Sequence, residues 1–113
     1  MRETDRVRLR HMLDAAREAV SFAAGRTRAD LDRDRMLNLS LAHLLEIVGE
    51  AARRVSPEAR EAYPVIPWLD ISDMRNRLAH GYEDINLDMV WQVLKEDLPP
   101  LIAELERILA TKE

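Results

Sequence analysis

Apolar residues recur along this chain at three- and four-residue intervals, the period of helices buried on one side. Leu9, Met12, Leu13, Ala16, Val20 and Ala23 make one such stripe and predict a first helix over residues 4–24. Thr4 is placed to cap its first amides, and Gly25 to close its end. A second stripe runs through Leu37, Leu41, Leu44, Val48, Ala51 and Val55. Its alternating spacing is the seam of a helix packed lengthwise on others. Asp30 or Asp32 is the expected start of this helix and Val55 its reach. Leu39, Ala42, Leu45, Ile47 and Ala52 spread apolar character beyond the stripe, and a helix apolar on several sides is buried on several sides. In so short a chain the extra side is expected to face a second subunit. Gly49 lies inside this helix, where it costs about 1 kcal/mol relative to alanine. A close approach of another helix would explain it.

Prolines and glycines punctuate the rest. Ser56-Pro57 reads as a cap followed by proline at the first helical position, opening a short turn of helix through Tyr63. Pro64-Val65-Ile66-Pro67 then predicts an extended connection. A third main helix is expected from Pro67 or Trp68 to His80, with Ile71, Met74 and Leu78 inward and Gly81 as its left-handed cap. A fourth starts near Asn86, with Ile85 packing on Val90 as a staple. Pro99-Pro100 cannot lie inside an unbroken helix. They fit the first turn of a new segment capped by Asp97, so the last helix is expected to be kinked or split near Leu98. No segment alternates as a strand does. The predicted fold is all-α, an antiparallel bundle of four main helices, in a single domain over residues 1–113.

Composition narrows the function classes. A chain of 113 residues holds one core. It has no cysteine, which excludes disulfides and thiolate metal sites. No apolar run approaches the roughly 18–20 residues of a membrane span. The polar start Met1-Arg2-Glu3-Thr4-Asp5 is not a signal peptide, so a cytoplasmic location is expected. The net charge of −4 gives no basic footprint, so any RNA contact has to be local or summed across an oligomer. Lys95 and Lys112 are the only lysines, a bias that reads as genome composition.

Candidate chemistry is sparse. His11, His43 and His80 have no second histidine three or four residues away. The chain also lacks the paired Glu-x-x-His pattern of a di-metal bundle. No bound metal or cofactor is expected. Phosphate loops and nucleophile elbows are absent, and Ser21, Ser40, Ser56 and Ser72 read as caps or surface residues. What remains is Arg75-Asn76-Arg77-Leu78-Ala79-His80-Gly81-Tyr82 at a helix end. Five residues separate Arg75 from His80, about 140° around a helix. The two converge only if the helix ends at His80, or if two copies meet on a two-fold axis. The spacing alone means little, because Arg6 and His11 share it. Each residue also has a structural role to offer: His80 as a C-terminal cap, Arg75 as a partner of Asp70 or Asp73, and Tyr82 as packing.

In combination the motifs are more specific. Pro64-Val65-Ile66-Pro67-Trp68, Met74-Arg75-Asn76, His80-Gly81-Tyr82, Val90-Trp91 and Asp97-Leu98-Pro99 resemble the HepT-like branch of the HEPN superfamily. So do Gly49-Glu50-Ala51 and Ser56-Pro57, and the resemblance spans residues 6–109. Gly81 and the acidic Glu83-Asp84 make the local site less basic than RNA binding favours. The resemblance implies a HEPN-like helical homodimer whose Arg-x4-His motifs meet in an interface cleft. It implies a metal-independent ribonuclease, the toxin of a bacterial or archaeal toxin–antitoxin pair. The implied antitoxin is an MNT-type nucleotidyltransferase that silences the toxin by transferring AMP to the motif tyrosine. On this chain Arg75 and His80 would then be catalytic, Asn76 supporting, and Tyr82 the modified residue. The residue chemistry is compatible. A histidine near neutrality exchanges protons with the ribose 2′-OH or the leaving oxygen, and an arginine fork binds phosphate oxygens. The alternative is a non-catalytic helical dimer that binds a nucleotidyltransferase and is modified by it.

Overall fold

The computed structural model describes residues 1–79 and 85–111. Among them the chain is helical throughout, with no strand: α1 (Glu3–Ala23), α2 (Arg28–Arg33), α3 (Arg35–Arg53), α4 (Pro57–Ala62), α5 (Trp68–Ala79), α6 (Leu87–Gln92) and α7 (Leu98–Ala110). A π-helical turn, Val93–Asp97, joins α6 to α7. The long helices form an antiparallel bundle in which α3 is central, with α1 along one flank and α5 along the other, while α7 packs on α1.

The first helix starts without the predicted cap. Thr4 lies inside α1, and Arg2 at the cap position makes no side-chain bond to it. The first turn is tied down by Asp5, which is buried and accepts hydrogen bonds from Ser56 N at 2.8 Å and Ser56 Oγ at 2.7 Å. Burial raises the Asp5 pKa, but the two Ser56 bonds, Arg2 and the N-terminal ammonium outweigh it, and the carboxyl sits below its ordinary value. The Ser56 hydroxyl also accepts from Ala59 N at 3.2 Å, which caps α4 as expected. Gly25 takes φ +74° after α1, the left-handed geometry its position predicts. Along α1 the apolar stripe is buried except at Val20, which stays partly exposed while Ala19 takes the inward place.

The predicted second helix is two helices. Thr27 and Asp30 form a capping box that starts α2 (Thr27 N to Asp30 Oδ2, 2.7 Å). Asp34 then breaks the chain and caps α3 by accepting from Leu37 N at 3.0 Å. The cap is therefore Asp34, and neither Asp30 nor Asp32 starts the long helix. Arg26 bridges both carboxylates of this corner, Asp34 at 2.8 Å and Asp30 at 3.6 Å. The second apolar side of α3 is covered within the chain: Ala42, Leu45 and Ala52 are buried, because α3 has a helix on each flank. Only Met36 and Leu39 of its apolar residues remain exposed.

Pro64–Pro67 is a tight turn rather than an extended link. Ile66 N donates back to Tyr63 O at 3.2 Å, and Trp68 Nε1 donates to the same carbonyl at 3.1 Å. Asn86 caps α6 as expected (Met89 N to Asn86 Oδ1, 3.0 Å). The last helix is split where the prolines require, but by a different device. Leu98 N donates to Val93 O, five residues back. The wider turn accommodates a stretch whose two prolines cannot donate. Asp97 makes no capping bond. The C-terminal carbonyls of α7 are met by Arg6, which donates to Leu109 O at 2.6 Å and Thr111 O at 3.2 Å. These bonds give Arg6, of the second Arg-x4-His pair, a structural role.

Candidate active site

The site is built from the contact between α3 and α5. Ile71, Met74 and Leu78 are buried and turn one face of α5 into the core, as their spacing predicts. The adjacent face carries Arg75 against α3, directly over Gly49. A Cβ at position 49 would lie 2.7 Å from Arg75 Cγ and 3.3 Å from Arg75 Cα. The glycine is therefore the notch that lets the two helices approach, and Arg75 is the side chain that fills it.

From that seat the Arg75 guanidinium is half-buried and held at two points. Its Nη2 lies 3.3 Å from Glu50 Oε2, and its Nη1 donates to Asn76 Oδ1 at 3.3 Å. Asp70 and Asp73, the partners its helix position suggests, are not the ones it takes. Glu50 is shared: Arg54 Nε approaches Oε1 at 3.3 Å and Arg53 Nη1 approaches Oε2 at 3.7 Å. The Arg54 hydrogen bond, above all, holds the Glu50 carboxyl below its ordinary pKa. Burial works against it, and the charges of Arg75, Arg53 and Arg54 add to the lowering. Three guanidiniums around one carboxylate make a locally cationic surface on a chain that is acidic in sum. Sequence reasoning missed Glu50 as a site residue. The signal was its place beside Gly49: a residue next to a helix-contact glycine lies at the edge of that contact.

Of the candidate residues, Arg75 and Asn76 are brought together. His80 and Tyr82, with Gly81, lie outside the described residues. His43 and Glu46 share a face of α3, as their spacing suggests, at 3.9 Å and exposed to solvent. Among the described residues no three His, Asp or Glu side chains converge as a metal site requires.

A sizeable groove lies elsewhere. It has a volume of about 530 Å³ and runs between α5 and the α6–α7 limb, floored by Ile71, Met74, Val93 and Leu101. Among the described residues its lining carries Asp70, Asp73, Asp97 and Glu104 against one cation, Arg77, and does not include Arg75. Burial, with Glu96 and Asp70 nearby, raises the Asp97 carboxyl pKa. An acid-rimmed groove repels phosphate. A polyanionic ligand is therefore favoured on the Arg75 side and disfavoured here.

Residues 12–108 match the family described as ribonuclease HepT-like. The chain belongs to this family. The matched span carries the α3–α5 contact and every candidate residue. Among its HepT-like relatives is a Methanocaldococcus jannaschii protein provisionally named an RNase, 31% identical over 95 residues that make up 84% of this chain and 87% of that one. A protein of Caldanaerobacter subterraneus subsp. tengcongensis, also provisionally named an RNase, is 30% identical over 107 residues, 95% of this chain and 96% of its own. "Probable ribonuclease HepT" of Thermococcus cleftensis is 31% identical over 75 residues, 66% of this chain and 68% of its own. No solved structure gives a significant match. No helix of the described residues is long and apolar enough to cross a membrane.

Proposed function

We propose that this HepT-like chain is the ribonuclease toxin of a toxin–antitoxin pair and cleaves RNA as a homodimer without a metal. The observation that carries the reading is the seat of Arg75. In a family described as ribonucleases, a helix surrenders a side chain at Gly49 so that an arginine can be fixed at one edge of the α3–α5 contact. A guanidinium held at two points presents its remaining donors to phosphate oxygens with little ordering left to do.

The chemistry follows from what RNA offers. The ribose 2′-OH attacks the adjacent phosphorus, a pentavalent phosphorane forms, and the 5′ oxygen leaves. Arg75 stabilises the charge that builds on the phosphorane oxygens. His80 exchanges the protons, since an imidazole can serve as base or acid in such a transfer. In a homodimer the two-fold axis supplies two Arg75–His80 pairs to one cleft, so one histidine accepts while its mate donates. Asn76 supports the site by holding Arg75.

The partner in this reading is an MNT-type nucleotidyltransferase that transfers AMP to Tyr82. A phosphodiester two residues from His80 adds bulk and negative charge beside the catalytic arginine, which suffices for silencing without a global rearrangement. The net charge of −4 favours the second reading, in which the dimer binds the nucleotidyltransferase without cleaving RNA. Induced expression in bacteria separates the two. Growth arrest with new RNA fragments for wild type, absent in Arg75→Ala and His80→Ala at equal soluble levels, supports the ribonuclease. Equal growth and intact RNA in all three supports the binding module.

A further inference from the structure

The arginines around Glu50 exceed what one carboxylate needs. Arg75 arrives from α5, while Arg53 and Arg54 leave the last turn of α3 and the residue after it. The side chains of Arg53 and Arg54 are 63% and 56% exposed. Exposed ion pairs contribute little to stability, so the cluster is poorly explained as a brace. Its position is better explained. The negative end of the α3 dipole favours cations here, and each guanidinium carries five donors, of which Glu50 engages few. The surface left over is a set of directed N–H groups beside Arg75, whose acceptors among the described residues are Glu50 and Asn76.

We propose that Glu50 is a positioning residue, aligning Arg75 for the reacting phosphate and gathering Arg53 and Arg54 beside it to hold the neighbouring phosphate of the RNA backbone. The inference rests on the ribonuclease reading above and adds to it the acid that orients the arginine and the cations that extend the site. Glu50 Oε2 fixes one Nη of Arg75 while Asn76 fixes the other, so the plane of the fork is set before RNA arrives. The same carboxylate draws the two α3 arginines toward that fork. A negative charge in an RNA site weakens phosphate binding by its own field. Its removal is thus expected to leave RNA affinity equal or higher while lowering turnover. A residue that only stabilised the fold would not produce that split.

The test pairs cleavage kinetics with fluorescence anisotropy, using the full chain and a 2′-O-methyl RNA oligonucleotide whose nucleophile is blocked. Glu50→Ala is expected to lose about 10- to 100-fold in kcat, the scale of a misplaced catalytic group, with oligonucleotide affinity unchanged or tighter. Glu50→Gln keeps an acceptor for Arg75 and is expected to recover part of kcat. The double variant Arg53→Ala/Arg54→Ala is expected to weaken oligonucleotide binding about tenfold and to flatten its salt dependence by about 0.7 for each phosphate no longer neutralised. Wild-type kcat in both Glu50 variants, or unchanged RNA affinity in the double variant, overturns the proposal. If wild type leaves RNA intact, the ribonuclease reading fails by itself. The anisotropy still reads the arginine surface, which weaker binding by the double variant supports and equal binding refutes.

Discussion

Arg75 roots its side chain in the notch that Gly49 leaves in α3, with Arg75 Cγ 2.7 Å and Arg75 Cα 3.3 Å from where a residue-49 Cβ would stand. The obstructing atoms are the base of a side chain and a backbone carbon, which move only if the whole of α5 moves. Gly49→Ala sets two terms against each other. Helix propensity gains about 1 kcal/mol, and overpacking costs about 1–3 kcal/mol. The clash involves the stiff end of Arg75, so the cost belongs at the upper end, and a net loss of about 1–2 kcal/mol in urea unfolding is expected. Equal or higher stability would mean that the helices do not meet there.

The bond from Ser56 to Asp5 predicts an acid-sensitive fold. The folded Asp5 carboxyl lies below its ordinary value. Its contribution is therefore fully present above the unfolded pKa of about 3.9 and is lost as pH falls through the folded value. Asp5→Asn is expected to cost about 1–3 kcal/mol at neutral pH, the scale of buried hydrogen bonds to a charged group. The variant should also unfold with a shallower pH dependence below about pH 4 than wild type. Parallel acid limbs in urea melts of the two proteins would contradict this assignment.

Self-association is required by the composite site. Sedimentation at micromolar concentration should give about twice the 13.1 kDa of one chain. A clean species of one chain's mass would remove the shared cleft and leave the single-chain surface around Arg75 to do any chemistry. The helix surface left open for association is narrower than its hydrophobicity suggests, because α1 and α5 cover most of the apolar area of α3.

Tyr82 separates modification from masking. With an MNT-type nucleotidyltransferase and ATP, wild type is expected to gain AMP and lose activity. Tyr82→Phe should remain active and unmodified under the same conditions. Neutralisation of Tyr82→Phe with no AMP attached would point to inhibition by binding alone.

Much of this architecture was legible in the sequence because its signals are local. The stripes of α1, α3 and α5 read directly as buried faces, and Ser56, Asn86 and Gly25 do what their positions suggest. The misses are places where a distant partner decides. Thr4 yields to Asp5 because Ser56, far along the chain, supplies the hydrogen bonds that hold the start of α1. Asp34 takes the cap of α3 because Thr27 and Asp30 have already formed a separate turn. The break at Pro99-Pro100 is made by a widened turn upstream, a backbone solution that no side chain announces. In the site, Arg75 was visible as part of a motif. Its partner was not: Asp70 and Asp73 are near in sequence, but Gly49 brings Glu50 near in space. His80 and Tyr82 rest on the motif and the family, since both lie outside the described residues.

In the proposed reaction Arg75 and His80 cleave RNA through its own 2′-OH. The most direct measurement incubates purified wild type, Arg75→Ala and His80→Ala with a labelled single-stranded RNA and with its all-2′-deoxy counterpart, in the presence of a chelator, and determines the ends of any product. Cleavage of the RNA alone by wild type, leaving a cyclic phosphate and a 5′-hydroxyl, with a loss of about 100-fold or more in each variant, is the predicted result. Equal cleavage by all three proteins, or cleavage of the 2′-deoxy strand, would contradict it.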